Sequence, residues 1–211
     1  MTPFVDVCWP LSHGELIPLH HQYHLLASVS RLVPDVHHCS DYAIHPIRGV
    51  RSKPGVLDLT AASKVRIRCP ADKIPQLLPL NGKKLELADC PIRLGVAEIH
   101  TLQPSTDLYC HLATIKGYIE LGAFALGVRR QLDTIGVSDS VLVEVGPRRV
   151  LHVKHQIIVG FQLVLRRLQE SESLLIQERG LGGRRHFGCG LFDPEREQPV
   201  TARDGQSWRK Q

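Results

Sequence analysis

Gly180-Leu181-Gly182-Gly183-Arg184-Arg185-His186-Phe187-Gly188-Cys189-Gly190 places five glycines and three basic side chains in eleven residues. Glycine loses more backbone freedom on folding than any other residue, so a loop this rich in it is kept where the backbone must approach something closely or take positive φ. Amides exposed beside the guanidinium groups of Arg184 and Arg185, with His186 next to them, make a seat suited to phosphate groups. Gly182 and Gly188 belong to that seat as points of close approach. No Gly-Lys-Ser/Thr ending is present, so this is not a Walker loop. The Gly-x-Gly-x-x-Gly spacing fails at Arg185, and the loop follows a helix where that motif would open one. A bulge-rich turn between helix and strand is the plainer alternative.

The flanking segments extend the pattern. Glu170–Arg179 reads as a short helix and Cys189–Phe192 as a strand. Before them, Val141–Val145, Val150–Val153 and Ile157–Leu168 are strands rich in β-branched residues. Ile119–Ile135 is a helix with Leu121, Phe124, Ala125, Val128, Leu132 and Ile135 on one face, and Leu108–Ile115 is a strand. The same order appears earlier. Phe4–Trp9 is a strand, and His20–Val33 is a helix that Pro34 ends. Tyr42–Ile47, Gly55–Leu59 and Ser63–Cys69 are strands, the last two read as a hairpin. Asp72–Leu78 is a short helix capped by Asp72, and Leu85–Leu87 and Ile92–Val96 are strands. The fold class expected is α+β, two tandem ferredoxin-like βαββαβ domains of the kind the RNA-recognition motif also uses. They span 1–103 and 104–193, joined near Gln103-Pro104-Ser105, with the glycine-rich loop 180–190 in the second. Residues 194–211 are polar and predicted to be a disordered tail.

The chain has 211 residues, with 26 Lys+Arg against 21 Asp+Glu and a formal charge of +5. That excess favours a polyanionic partner without requiring one. The six cysteines form no Cys-x-x-Cys pair and match no zinc spacing, which predicts buried thiols in a reducing compartment. No basic cluster precedes an apolar run near Met1, and no apolar stretch approaches the roughly 20 residues of a membrane helix. The expectation is a cytoplasmic protein without membrane contact.

The loop fits a Gly-Φ-Gly-x5-Gly-Φ-Gly pattern, with Leu181 and Cys189 as Φ and a basic middle. In this it resembles the C-terminal glycine-rich loop of CRISPR-associated protein six, the repeat-processing endoribonuclease family, in its short myxobacterial-type form. Ile17-Pro18-Leu19-His20-His21-Gln22-Tyr23, Ile44-His45-Pro46-Ile47-Arg48-Gly49 and Thr114-Ile115-Lys116-Gly117-Tyr118 are similar to that form as well, so the resemblance runs from about Val5 to Phe192. One departure is His20, which stands where the form carries an acidic residue. The resemblance implies two ferredoxin-like domains and metal-independent cutting within CRISPR repeats. It also implies products with a 2′,3′-cyclic phosphate and a 5′-hydroxyl. The partners implied are pre-crRNA, mature crRNA and other Cas proteins of an interference complex.

RNA can be cut by its own 2′-hydroxyl if that proton is removed, the phosphate is held in line and the growing charge is stabilised. Histidine suits the proton transfer because it titrates near neutrality. Among the twelve histidines, His21 lies at the edge of the apolar helix face and in the first turn, and is the first choice for general acid or base. A surface histidine at a helix start is the alternative. His45, between apolar Ile44 and Ile47 and near Arg48, is the second choice; a satisfied strand histidine is the alternative. Lys116, after the strand Leu108–Ile115, has the charge to meet a phosphate. His20 and His24 have the spacing of a metal pair but no third ligand, so neither a metal nor any other cofactor is expected. Lys64, Arg66 and Arg68 alternate with Val65, Ile67 and Cys69, which puts three cations on one strand face as a track for the RNA backbone. The wet face of an edge strand is the alternative. Aromatics make up only 5%, so recognition through phosphates and hairpin shape is expected over base stacking on the sheet. A non-catalytic RNA-binding subunit would share the loop without needing His21.

Overall fold

The computed structural model describes residues 2–12, 15–154 and 156–195. Two four-stranded antiparallel sheets organise them. In the first half, β1 (Phe4–Pro10), α1 (Gln22–Leu32), β2 (Ala43–His45), β3 (Lys64–Pro70) and β4 (Glu98–Thr101) form a sheet of order β2-β3-β1-β4. In the second, β5 (Leu108–Ala113), α2 (Leu121–Thr134), β6 (Leu142–Val153), β7 (Gln156–Arg166), α3 (Glu170–Arg179) and β8 (Asp193–Pro194) give β6-β7-β5-β8. Each is the strand order of a ferredoxin-like unit, so the α+β architecture holds twice over.

Alternation explains the central strands. Along β3, Val65, Ile67 and Cys69 are fully buried, and β1 supplies Val5, Val7 and Trp9 to the same core. Leu25, Leu26 and Val29 recur along α1 at helical spacing and close over it. The second core gathers Phe124, Val128 and Leu132 of α2 against Leu163 and Leu165 of β7.

Several boundaries differ from the sequence reading. Helix α1 starts at Gln22, leaving His20 and His21 in the preceding turn. Val56–Asp58 makes no hairpin with β3 and pairs with Leu16–Pro18 and Val50–Lys53 in a small separate sheet. The expected helix Asp72–Leu78 is three short turns, Ala71–Lys73, Ile74–Leu77 and Leu78–Leu80, and Asp72 caps none of them. Pro75 and Pro79 each remove a helical donor there. Lys84–Leu87 and Cys90–Arg93 pair only with each other, and the fourth sheet position falls to β4, whose residues are all exposed and therefore show no apolar period. Val141–Val145 and Val150–Val153 merge into one strand bent by a bulge between Val145 and Arg148. Cys189–Phe192 is not a strand, and the sheet edge is Asp193–Pro194. Pro194 pairs with Leu108, and Glu195 donates its N–H to the Asp107 carbonyl, so neither belongs to a tail. The remainder of the expected tail, 196–211, lies outside the described residues. Among those residues no helix is long and apolar enough to cross a membrane.

Candidate active site and nucleic-acid interface

The basic face expected on β3 is turned largely inward, with only Arg68 fully buried. Arg68 is 1% exposed. It donates to both carboxylate oxygens of Asp6 at 2.7 and 3.0 Å, to Asp193 at 3.1 Å, and to the carbonyls of Gln177 and Phe192. Arg66 donates to Asp6 at 3.2 Å, to Asp193 at 2.9 and 2.6 Å, and to Nδ1 of His45 at 2.6 Å. Arg48, at the rim, reaches Asp193 at 2.8 Å. Asp193 comes from β8 of the second half and the arginines from the first, so the cluster is a clasp between the halves. Burial would raise the Asp193 carboxyl, yet the guanidinium charges around it hold it far below the usual carboxylate range. Lys64 and Arg66 keep partly open positions on β3, and both line a cleft beside the clasp.

His45 lies inside this clasp. Because arginine only donates, Nδ1 of His45 accepts from Arg66 and the proton sits on Nε2, which is buried, lacks a hydrogen-bond partner and lies 3.9 Å from Asp6. Burial, then Arg66 and Arg68, push its pKa well down. His21 is also sealed, at 1% exposure. The Ile47 amide donates to its Nε2 at 2.9 Å, which leaves the proton on Nδ1 to be given to the Pro18 carbonyl at 3.0 Å. Burial lowers its pKa to about 4. Both ring nitrogens of His21 are hydrogen-bonded within the protein and His45 is held by Arg66, and both residues border the cleft between the halves. His21 thus staples the turn before α1 to the 44–49 segment.

The accessible imidazoles are elsewhere. The long β6–β7 hairpin reaches across the seam to the start of α1. There the rings of His20 and His152 meet edge to face, with centroids 4.8 Å apart, and Lys154 Nζ sits 4.6 Å from the Tyr23 ring centroid. Both histidines are exposed. Partial burial, then His152 and Arg51, lower the pKa of His20. Around the corner runs a cleft of about 610 Å³, walled by Pro46, Ile47, Arg48 and Arg51 from one half and by Tyr109 and His111 on β5 from the other. The pKa of His111 is lowered by burial and then by Arg149, Arg51 and Arg48. Arg51 thus acts on His20 and His111 alike, and one positive field spans the paired histidines and the cleft.

The sequence profile of the Cas6 CRISPR family matches residues 5–197. The chain belongs to the Cas6 family. A CRISPR-associated endonuclease Cas6 of Myxococcus xanthus is 38% identical over 191 residues, covering 90% of this chain and 81% of that protein. Among solved structures, a Cas6-related protein of Pyrococcus furiosus superposes with a TM-score of 0.63 at 12% identity, over 93% of this chain and 99% of that one. A Cas6 in complex with a substrate mimic gives 0.51 at 17% identity, over 92% and 100%. These two likenesses speak for the fold.

Within this Cas6 chain the glycine-rich loop turns its glycine amides to the protein, with Gly183 and Arg184 exposed at its tip. All five glycine amides are taken by protein acceptors: Gly180 by Ile176, Gly182 by the Gln131 side chain, Gly183 by Thr114, Gly188 by Arg185 and Gly190 by Leu112. Gly182 has φ +77°, and a Cβ there would stand 2.2 Å from the Thr114 carbonyl oxygen; at Gly188 it would meet Pro46 at 2.6 Å. The glycines therefore serve packing against β5 and β2, and the expected amide seat for phosphate is corrected. Arg185 donates to the Glu178 carbonyl, and burial lowers its pKa to about 10. His186 donates to the Cys39 carbonyl at 3.0 Å. Only Arg184, left-handed at φ 64° at the loop tip, presents an exposed cation. Lys116 is exposed in the turn after β5 and lines neither cleft.

Sequence reasoning passed over His152, Arg51 and the Tyr109–His111 pair. The i, i+2 spacing of Tyr109 and His111 between buried Leu108, Cys110 and Leu112 was the one available signal.

Proposed function

We propose that this Cas6 chain is a metal-independent endoribonuclease that binds CRISPR repeat RNA and cuts it to crRNA at the His20–His152 pair. The observation that carries the proposal is the accessible contact of these two rings beside Arg51, one from each half of the molecule. One imidazole takes the proton of the ribose 2′-hydroxyl. The 2′-oxygen bonds to phosphorus as the bond to the 5′-oxygen breaks, and the other imidazole, as imidazolium, protonates that leaving oxygen. The products are a 2′,3′-cyclic phosphate and a 5′-hydroxyl. Arg51 and Lys154 lie where charge on the phosphate needs compensation. The lowered pKa of His20 keeps it neutral, the form a base requires.

The carboxylates support a metal-free route. Asp6, His45 and Asp193 bring one ligand atom each within 4.8 Å, a grouping that resembles a cation site. Three guanidinium groups already saturate both carboxylates, and a divalent ion there would meet their repulsion. The test is incubation of the protein with repeat RNA in EDTA. Cutting that persists, and that His20→Ala or His152→Ala abolishes while RNA binding survives, is the expected result. Cutting silenced by EDTA, or tight binding of intact RNA, would overturn it, the latter in favour of a non-catalytic RNA-binding subunit. Mature crRNA and other Cas proteins of an interference complex are the partners this reading entails.

A further inference from the structure

The clasp divides the seam into two clefts, and the one away from Lys64 has an unusual lining. Tyr109 and His111 point outward from β5, two residues apart, and their polar atoms meet at 3.3 Å. They form an aromatic wall facing Leu19, Leu57 and Pro46, with Arg48 and Arg51 at the mouth. Arg149, held by Gln162 behind the wall, lies close enough to act on both aromatics without lining the cleft. The two carboxylates lining the cleft are already bound, Asp193 by the arginine clasp and Glu195 by Arg166 at 2.6 Å. At about 610 Å³ the space suits one small planar ligand rather than a duplex.

We infer that this cleft binds an unpaired nucleotide of the RNA, the base against Tyr109 and His111 and its phosphates against Arg48 and Arg51. The inference rests on the nuclease reading for its choice of polyanion. It goes beyond that reading in assigning a single-strand subsite, separate from the His20–His152 centre, in which a base face is held. Stacking and phosphate pairing together account for an aromatic wall beside two exposed guanidinium groups. Aromatic stacking tolerates any base, so the subsite holds the strand in register and leaves sequence choice to other contacts.

The test is fluorescence anisotropy with three probes of eight nucleotides: oligoadenylate, oligouridylate, and an abasic ribose-phosphate chain of equal charge. The wild-type protein is expected to bind the two base-bearing probes about tenfold or more tighter than the abasic one. Tyr109→Leu with His111→Leu, which keeps bulk on the strand, is expected to erase that difference, and Tyr109→Phe to retain it. Thermal unfolding of each variant checks that the sheet is intact. Equal wild-type affinity for all three probes, or an undiminished preference in the folded double leucine variant, would overturn the subsite. A wild-type protein that cuts repeat RNA yet fails this test loses the subsite alone. One that neither cuts nor binds repeat RNA loses the nuclease reading.

Discussion

His20 and His152 differ from His21 and His45 in their access to water, and that difference sets what each can do. For the exposed pair, His20→Ala and His152→Ala are expected to slow cutting by about 100- to 10,000-fold at unchanged thermal stability, measured in single-turnover assays. The wild-type rate should fall in acid through a pKa below 6.5, since the lowered pKa of His20 defines the limb where the base becomes protonated. For His21 the consequence is stability. Burial brings its pKa from the ordinary 6.5 to about 4 in the fold, so the unfolded chain binds the extra proton first. The contribution is complete above about pH 6.5 and is lost as pH falls toward 4, up to about 3 kcal/mol in all. Urea denaturation of the wild type at pH 7 and pH 5 should show the loss. His21→Asn, which cannot take the proton, should reduce the loss by the His21 share, leaving that of His45, while costing about 1–3 kcal/mol at pH 7. Nothing in the local sequence distinguishes His20 from His21, because the partner that seals His21 is the amide of Ile47, 26 residues away.

The glycine-rich loop was the most legible element and also the most misleading one. Its spacing announces a constrained backbone, and the constraint is real. What approaches that backbone is the chain itself, the carbonyl of Thr114 and the ring of Pro46, and no local pattern names those partners. Gly188→Ala is therefore expected to destabilise the protein by more than about 2 kcal/mol. Gly183→Ala, with open space around the new methyl, should be near neutral. A calorimetric comparison decides it, and equal melting temperatures would return the loop to the surface. On β3 the period of two was read correctly, and the buried apolar half followed from it. The opposite face was taken for an open track because alternation tells which residues share a face but not what covers it. The cover is Asp193, 125 residues from Arg68.

The whole molecule depends on charge in two places that answer differently to salt. In the clasp, Arg68→Ala leaves Asp6 and Asp193 short of a buried partner and is expected to cost about 3–5 kcal/mol, with little dependence on salt. On the open surface, Arg48→Ala and Arg51→Ala should each weaken RNA binding and reduce the slope of log affinity against log salt by about 1. Binding titrations between 50 and 300 mM salt separate the two classes. The double strand–helix pattern was legible because each unit repeats its own periods. The seam between the halves was not, since the contacts of Asp193 with Arg48, Arg66 and Arg68 and of His20 with His152 join residues more than a hundred positions apart.

The clasp also imposes an order on assembly. Asp193 is both the counter-charge for three arginines laid down before residue 70 and part of the strand that closes the second sheet. Until that strand is in place Arg66 and Arg68 share Asp6 alone and Arg48 lacks its carboxylate, so docking of the second sheet's edge completes the charge balance of the first half.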